Sequence, residues 1–313
     1  MASTSALTAE KLFSVKDHVC VITGGGSGIG LMSAQALAAN GKLPRLGTVG
    51  TSVELRLTNT KGAKVYITGR RAEALEKAAK SHHPHGGGQI IPLGPCDVTK
   101  KDDLENLYQE LSKREKCINL LIAAAGISGE KAEPDTENAA DLKSKLWNNE
   151  SFEGWNDTYN TDVTSVYFSV VALLPLLQAA TESHGHLSAS VIVISSMSGI
   201  MRHAQGHFSY NSAKGATVHL TKLMSAEFQK ARIRVNSIAP GYFPSEMTTQ
   251  ESDKNQKSQL PDSKIQDKGH VPMGRAGADE EMAQAVLFLT KNAYVNGEII
   301  AVDGGVLNVI AGR

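Results

Sequence analysis

The sequence predicts an α/β fold: one doubly wound parallel sheet with helices on both faces, in a single domain over residues 1–313. Three observations carry this. Short apolar runs alternate with helical patterns along the whole chain. Most of the runs are almost continuously apolar, as strands covered on both faces must be. The alternation never breaks into two compositional regimes, so nothing marks a domain boundary.

Each element follows in order. "HVCVIT" (18–23) is an apolar run ending in glycines, and "GIGLMSAQALAAN" (28–40) has helical spacing. Two stretches then compete for the second strand. "SVELRL" (52–57) alternates apolar with charged, the pattern of an exposed edge; "KVYITG" (64–69) is nearly all apolar. We assign the strand to 64–69. Residues 41–61 are then an insertion. Excising them leaves "ALAANGAKVYITGRR", a helix and a strand joined by a loop of ordinary length. The segment reads as a retained intron or gene-model artefact, with an authentic surface loop as the alternative. Further strands are expected in 89–98, 118–126, 188–196, 233–241 and 297–305, and helices near 71–80, 101–115, 152–180, 209–230 and 279–291. The polar segments 128–151 and 244–272 read as loops or lids.

Lys plus Arg equals Asp plus Glu at 32 each, so no net field draws in nucleic acid or an anionic membrane. The apolar stretch 166–177 is too short to cross a bilayer and contains Pro175. The start lacks a secretory pattern. Cys20, Cys96 and Cys117 are scattered, without metal spacing, and Cys20 and Cys96 read as buried thiols. A soluble, cytoplasmic protein without metal is the expectation.

"VITGGGSGIG" (21–30) follows a strand and opens a helix. Gly24, Gly28 and Gly30 are one residue more widely spaced at the start than the general Rossmann fingerprint. Such glycines let the backbone approach a pyrophosphate, and the helix N-terminus supplies free N–H groups and partial positive charge. At the end of the next strand an acidic residue would bind a ribose hydroxyl, and a basic one a 2′-phosphate. The chain has Gly69, Arg70 and Arg71 there, so NADP(H) is the expected cofactor, with Arg70 its grip.

Tyr210 and Lys214 lie at i, i+4, on one face of a helix. Tyrosine ionises near ~10 and is a poor acid or base at neutral pH; a neighbouring ammonium lowers that value. Ser195, Ser196 and Ser198 end a strand, and any of them can hold a substrate carbonyl.

With these residues in view, the chain resembles the short-chain dehydrogenase/reductase (SDR) family in its single-domain branch, near the 3-oxoacyl-carrier-protein reductase-like and fungal carbonyl-reductase members. The resemblance spans residues 15–309, interrupted by 41–61. It is carried by "TGGGSGIG", "CDVT" (96–99), "AAAG" (123–126), "ISSMSG" (194–199), "YNSAK" (210–214), "APGYFPSEMT" (239–248) and "VDGG" (302–305).

The resemblance implies a Rossmann-like fold and the following roles. Tyr210 is the general acid, Lys214 lowers its pKa and binds the nicotinamide ribose, and Ser196 polarises the carbonyl. Ser196 lies 14 residues before Tyr210 where the family has 13, which implies a one-residue loop insertion; Ser198 is the weaker candidate. Gly24, Ser27, Gly28, Ile29 and Gly30 bind the cofactor together with Arg70, Asp97, Val98, Ala124 and Gly126. Pro240, Gly241, Phe243 and Ser245 flank the nicotinamide. The family's "NNAG" is here Ala123–Gly126, so the asparagine that braces its sheet is missing. A catalytic asparagine is replaced by Asp162, which predicts a working but altered proton relay.

Other residues carry less. The histidines of "HHPHGGG" (82–88) read as solvated, His203, His207 and His270 as lining the substrate pocket, and Trp147 and Trp155 as packing residues. The expected activity is NADPH-dependent reduction of a ketone to a secondary alcohol. A catalytically impaired or non-redox SDR, binding nucleotide or a partner or guiding a cyclisation, is the alternative. A homodimer or homotetramer built on the helices at 152–180 and 209–230 is implied, as is a place in acyl reduction or secondary metabolism.

Overall fold

Each strand is cut from one of the apolar runs and ends where the pattern turns polar or meets glycine or proline. The computed structural model describes residues 4–41, 62–82, 87–183, 188–249 and 251–310. The first half of the chain gives α1 (Ala9–Phe13), β1 (Val19–Thr23), α2 (Gly28–Ala39), β2 (Lys64–Thr68), α3 (Ala72–Ser81), β3 (Gln89–Pro92), α4 (Lys101–Arg114) and β4 (Leu120–Ala123). Next come α5 (Ala139–Asn149), α6 (Phe152–Tyr159), a π turn (Asn160–Thr164), α7 (Ser165–Ser183), β5 (Ser190–Ile194), α8 (Phe208–Phe228) and β6 (Arg234–Pro240). The chain closes with α9 (Glu246–Thr249), α10 (Asp262–Gln266), α11 (Asp279–Lys291), β7 (Ile299–Val302) and α12 (Val306–Val309).

The seven strands form one parallel sheet in the order β3-β2-β1-β4-β5-β6-β7. Side chains alternate between its faces. Cys20 and Ile22 of β1 join a core under α2, α3 and α11; Val19 and Val21 join the opposite core under α4, α7 and α8. The second strand is 64–68, paired with β1 from Val19↔Lys64 to Thr23↔Thr68. "SVELRL" and most of the inserted segment 41–61 lie outside the described residues.

Three expectations need correction. The 128–151 segment contains α5, started by Asn138, whose side chain accepts from the Ala140 and Asp141 N–H groups. No residue of α5 is fully buried, and its apolar spacing, Ala139, Leu142 and Leu146, is sparse among polar neighbours. The lid 244–272 contains α9 and α10. The helix Phe152–Ser183 is long and apolar enough, by length and composition, to cross a membrane, with Pro175 inside it. Here Val166, Val170, Leu173 and Leu177 bury it against the sheet.

Cys20 and Cys96 are buried free thiols, and burial pushes Cys20 up to about 12 and Cys96 to about 11. These are inert packing groups.

Candidate active site

From β1 the chain runs outward to β2 and β3; β4 then returns to pair with β1 on its other side. The strand order therefore reverses between β1 and β4. In open α/β sheets such a switch point leaves a crevice at the carboxyl ends of the strands. A cavity of about 480 Å³ lies there. Its β1–α2 turn is held close by glycine: Gly24 has φ +68°, and a Cβ on it would press within 2.8 Å of the Ala124 backbone. Ser27 precedes α2 without bonding back onto it, which leaves the first-turn N–H groups for an anion. A cradle of glycine backbone, helix N-terminus and two arginines fits a dinucleotide.

The structure brings all the sequence-predicted cofactor residues onto this one cavity. Gly24, Ser27, Gly28, Ile29 and Gly30 come from the β1–α2 turn, and Arg70 follows β2. Asp97 and Val98 follow β3, and Ala124 and Gly126 follow β4. Tyr210 and Lys214 come from α8, and Pro240, Gly241, Phe243 and Ser245 from the end of β6 and the turn beyond. Sequence reasoning missed Arg71, Thr161, Glu246, Met247 and Thr248, which also line it. Arg71 stood beside Arg70 as a signal, and Glu246, Met247 and Thr248 close the "APGYFPSEMT" stretch; nothing local marked Thr161.

Asp97 makes a local turn, its Oδ1 accepting from Thr99 N (3.1 Å) and Thr99 Oγ1 (2.7 Å). Burial works to raise its pKa, but these bonds, Lys100 and Arg70 outweigh it and hold the carboxyl low.

The three serines separate by geometry. Ser195 lines the cavity, but its hydroxyl is engaged: it donates to Ile238 O (3.1 Å) and accepts from the Ser237 hydroxyl (2.7 Å), tying β5 to β6. Ser196 lines the cavity, and its Oγ accepts from Ser198 N (3.1 Å). Ser198 is buried and does not line it. The extra residue between Ser196 and Tyr210 falls in a segment where Gln205 and Gly206 both take left-handed conformations. A Cβ on Gly199 would lie 2.4 Å from the Lys214 backbone, so glycine there allows the segment after Ser196 to pack on α8.

Lys214 is buried, with Nζ 3.2 Å from Asp162 Oδ2, 3.2 Å from Ile194 O and 5.6 Å from the centre of the Tyr210 ring. Asp162 stands behind the lining in the π turn. Its Oδ1 accepts from Ile127 N (2.8 Å) and its carbonyl from Thr217 Oγ1 (2.8 Å). Burial pushes the Asp162 carboxyl up; Lys214 and the Ile127 N–H pull it back only in part. Burial works against the Lys214 ammonium, but Asp162 and Tyr210 outweigh it and hold its pKa above the ordinary value. Half-buried Tyr210 is raised, chiefly by burial. Lys214 and a Ser196 hydrogen bond oppose this, and the Asp162 charge adds to it. The ammonium thus acts on the tyrosine in the expected direction but is outweighed by burial, and the net shift is upward.

A family model described as enoyl-(acyl carrier protein) reductase matches residues 55–307. The chain is 36% identical over 312 residues to the short-chain dehydrogenase/reductase PhomF of Diaporthe leptostromiformis, covering 98% of this chain and 97% of that one. This chain belongs to the short-chain dehydrogenase/reductase family. The SDR is also 31% identical to the rhamnolipids biosynthesis 3-oxoacyl-(acyl-carrier-protein) reductase of Pseudomonas aeruginosa, over 94% of this chain and 97% of that one. The solved Pseudomonas aeruginosa RhlG/NADP active-site complex matches its fold with a TM-score of 0.71 at 30% identity, over 94% of this chain and 98% of that one. The family is one of oxidoreductases that use NAD(P).

Three smaller expectations change in this SDR, at His82, at Trp147 and at the sheet brace. His203, His207 and His270 are not part of the dinucleotide cavity. His270 Nε2 instead lies 3.0 Å from Tyr242 Oη, and His203 Nδ1 accepts from Gln205 N (3.2 Å). His82 is not simply solvated; it bonds Gln35 (2.8 Å) and Asn255 O (2.6 Å), while 83–86 lie outside the described residues. Trp147 is 75% exposed, not packed, whereas half-buried Trp155 stacks on Tyr159. In place of the asparagine brace, Ala124 N meets Thr23 O (3.2 Å) and Thr23 Oγ1 (3.3 Å), which ties β4 to β1.

Proposed function

We propose that this SDR reduces a ketone, of carbonyl or β-ketoacyl type, to a secondary alcohol with NADPH in the cytoplasm. The observation that carries the reading is that Ser196, Tyr210 and Lys214 line the same cavity as the glycine turn and the Arg70–Arg71 pair. The arginines, with no carboxylate at the end of β2, favour a cofactor bearing a 2′-phosphate. When bound, the reduced nicotinamide supplies hydride to the carbonyl carbon. Tyr210 gives its phenolic proton to the carbonyl oxygen, with Lys214 and Ser196 working to lower its pKa against burial. Ser196 donates a hydrogen bond to the same oxygen, where negative charge develops. The Lys214 ammonium stabilises the tyrosinate left behind. Asp162 holds the ammonium and adds a negative charge that the family's asparagine lacks.

That charge favours a second reading, an impaired SDR that binds dinucleotide without turnover. Oxidation of NADPH with a panel of ketones and β-ketoacyl thioesters separates the two. Turnover abolished by Tyr210→Phe supports the reductase; tight dinucleotide binding with no turnover on any substrate supports the second reading. We also take the chain to assemble as a homodimer or homotetramer through α7 and α8, where Tyr167 and Leu223 are exposed. A monomer by sedimentation counts against this.

A further inference from the structure

The start of the lid lines the cofactor cavity, and one of its carboxylates sits on groups suited to a phosphate. Glu246 opens α9. Its Oε2 lies 2.5 Å from Arg71 Nη2 and accepts from the Ser27 hydroxyl at 3.4 Å. Its Oε1 accepts from Ser252 Oγ at 2.8 Å. Ser27 precedes α2 and Arg71 precedes α3, so one side chain joins both elements to the lid.

The backbone is equally close. A Cβ built on Gly28 would lie 3.0 Å from Ser245 Cβ, so the start of the lid rests on the glycine turn itself. Farther along, the lid is pinned again. His82 Nε2 lies 2.6 Å from Asn255 O; Lys257 Nζ donates to Gln35 Oε1 (2.6 Å) and pairs with Asp279. The lid is a strap fastened to α2, to the start and end of α3, and to the start of α11.

A hydroxyl donor, a guanidinium and a helix N-terminus together make anion-binding chemistry. The Glu246 carboxylate is an anion with the same acceptor oxygens as a phosphate. Burial works to raise its pKa, but Arg71, Ser252 and Ser27 outweigh burial and keep the group ionised. An incoming dinucleotide therefore meets negative charge where it needs positive.

We propose that Glu246 is a cofactor-affinity determinant: an internal anion that latches the lid across the cavity and competes with the dinucleotide's phosphate groups for Ser27 and Arg71. The proposal rests on the NADPH reading above. Binding is then an exchange, in which phosphate oxygens replace the carboxylate on Ser27 and Arg71 and the lid gives way as the dinucleotide enters. Arg71 is largely exposed, so the contact is a screened one and the effect modest.

The test uses the full chain and Glu246→Gln, which keeps the shape and the Ser252 bond but removes the charge. Calorimetric titration with NADP+ and NAD+ is paired with hydrogen exchange at 246–249 in the dinucleotide-free chain. The expected result is about two- to fivefold tighter NADP+ binding, a smaller gain for NAD+, and faster exchange in the variant. In an Arg71→Gln background the gain from Glu246→Gln disappears. Unchanged or weaker NADP+ binding overturns the proposal, and so does unchanged exchange at α9. If the wild-type chain binds neither dinucleotide, the NADPH reading fails instead, and the exchange measurement still judges the latch.

Discussion

Asp162 Oδ2 lies 3.2 Å from Lys214 Nζ, and both side chains are withdrawn from solvent. The π turn Asn160–Thr164 sets this contact, for it presents the carboxylate inward while its carbonyl takes a hydrogen bond from Thr217. π turns recur at functional sites. Here the turn sets a carboxyl beside Lys214, where its charge supports the ammonium and opposes a tyrosinate.

Asp162→Asn keeps the side-chain shape and removes that charge. The sign follows from the structure. The reduction proposed above needs Tyr210 protonated, so its rate is expected to fall as pH rises through the phenol's pKa. Asp162 helps to raise that pKa, and its neutralisation lowers it. The alkaline limb of kcat/KM for NADPH-dependent reduction is therefore expected at lower pH in the variant. A pH–rate profile checks this; superimposable profiles would leave Asp162 without a part in proton transfer.

The serines give a sharper test of the site. Ser196→Ala is expected to lower kcat/KM by about 10²–10³, the usual cost of losing one donor to a developing oxyanion. Ser198→Ala is expected to leave turnover nearly intact, since Ser198 lies outside the cavity. Ser195→Ala removes buried ties to Ile238 and Ser237 and is expected to cost about 1 kcal/mol of stability with little change in kcat. Steady-state kinetics beside urea denaturation separates the three.

The strands were legible because burial on both faces forces continuous apolar runs, which is why 64–68 outranked "SVELRL" as the second strand. The cavity lining was legible because glycines, Tyr210 and Lys214 act at short, fixed spacings. What could not be read depends on contacts distant in sequence. Glu246 and Arg71 are 175 positions apart, and no local pattern pairs them. α5 has no fully buried residue, so only its cap, Asn138, and the sparse spacing of Ala139, Leu142 and Leu146 could have marked it. The net direction at Tyr210 needed three dimensions as well, since burial and the Asp162 charge together outweigh the lysine that the spacing pointed to.

Arg234 is a buried cation that holds two ends together. Its Nη1 donates to Leu289 O (3.0 Å) and Val295 O (3.1 Å), and its Nη2 to Thr290 O (3.1 Å), which covers carbonyls left open at the end of α11. Burial pulls its pKa down to about 10. Arg234→Leu strands these acceptors and is expected to cost about 1–3 kcal/mol, read from the midpoint of urea unfolding. Arg234→Lys is expected to recover only part, because an ammonium cannot span the same carbonyls as a planar fork. Equal stability of all three proteins would show that solvent reaches the carbonyls.

The inserted segment meets its own starting point. A Cβ on Gly41 would lie 2.3 Å from Ala63 N, so the chain leaves and rejoins the fold at one place. On one side Val15 N holds Asn40 O (3.1 Å); on the other Lys64 N holds His18 O (2.9 Å). Joining Asn40 directly to Gly62 puts one glycine where the other stood and keeps both bonds. Deleting 41–61 is therefore expected to leave dinucleotide binding intact. Stability should be equal or higher by up to about 2 kcal/mol, since a shorter loop costs less entropy to close. Thermal unfolding and NADP+ titration of the deletion variant check this. A variant that fails to fold would mean that 41–61 packs as an authentic part of the domain. A transcript that carries these codons and yields active protein would rule out an intron origin, because the reductase would then work with the segment in place.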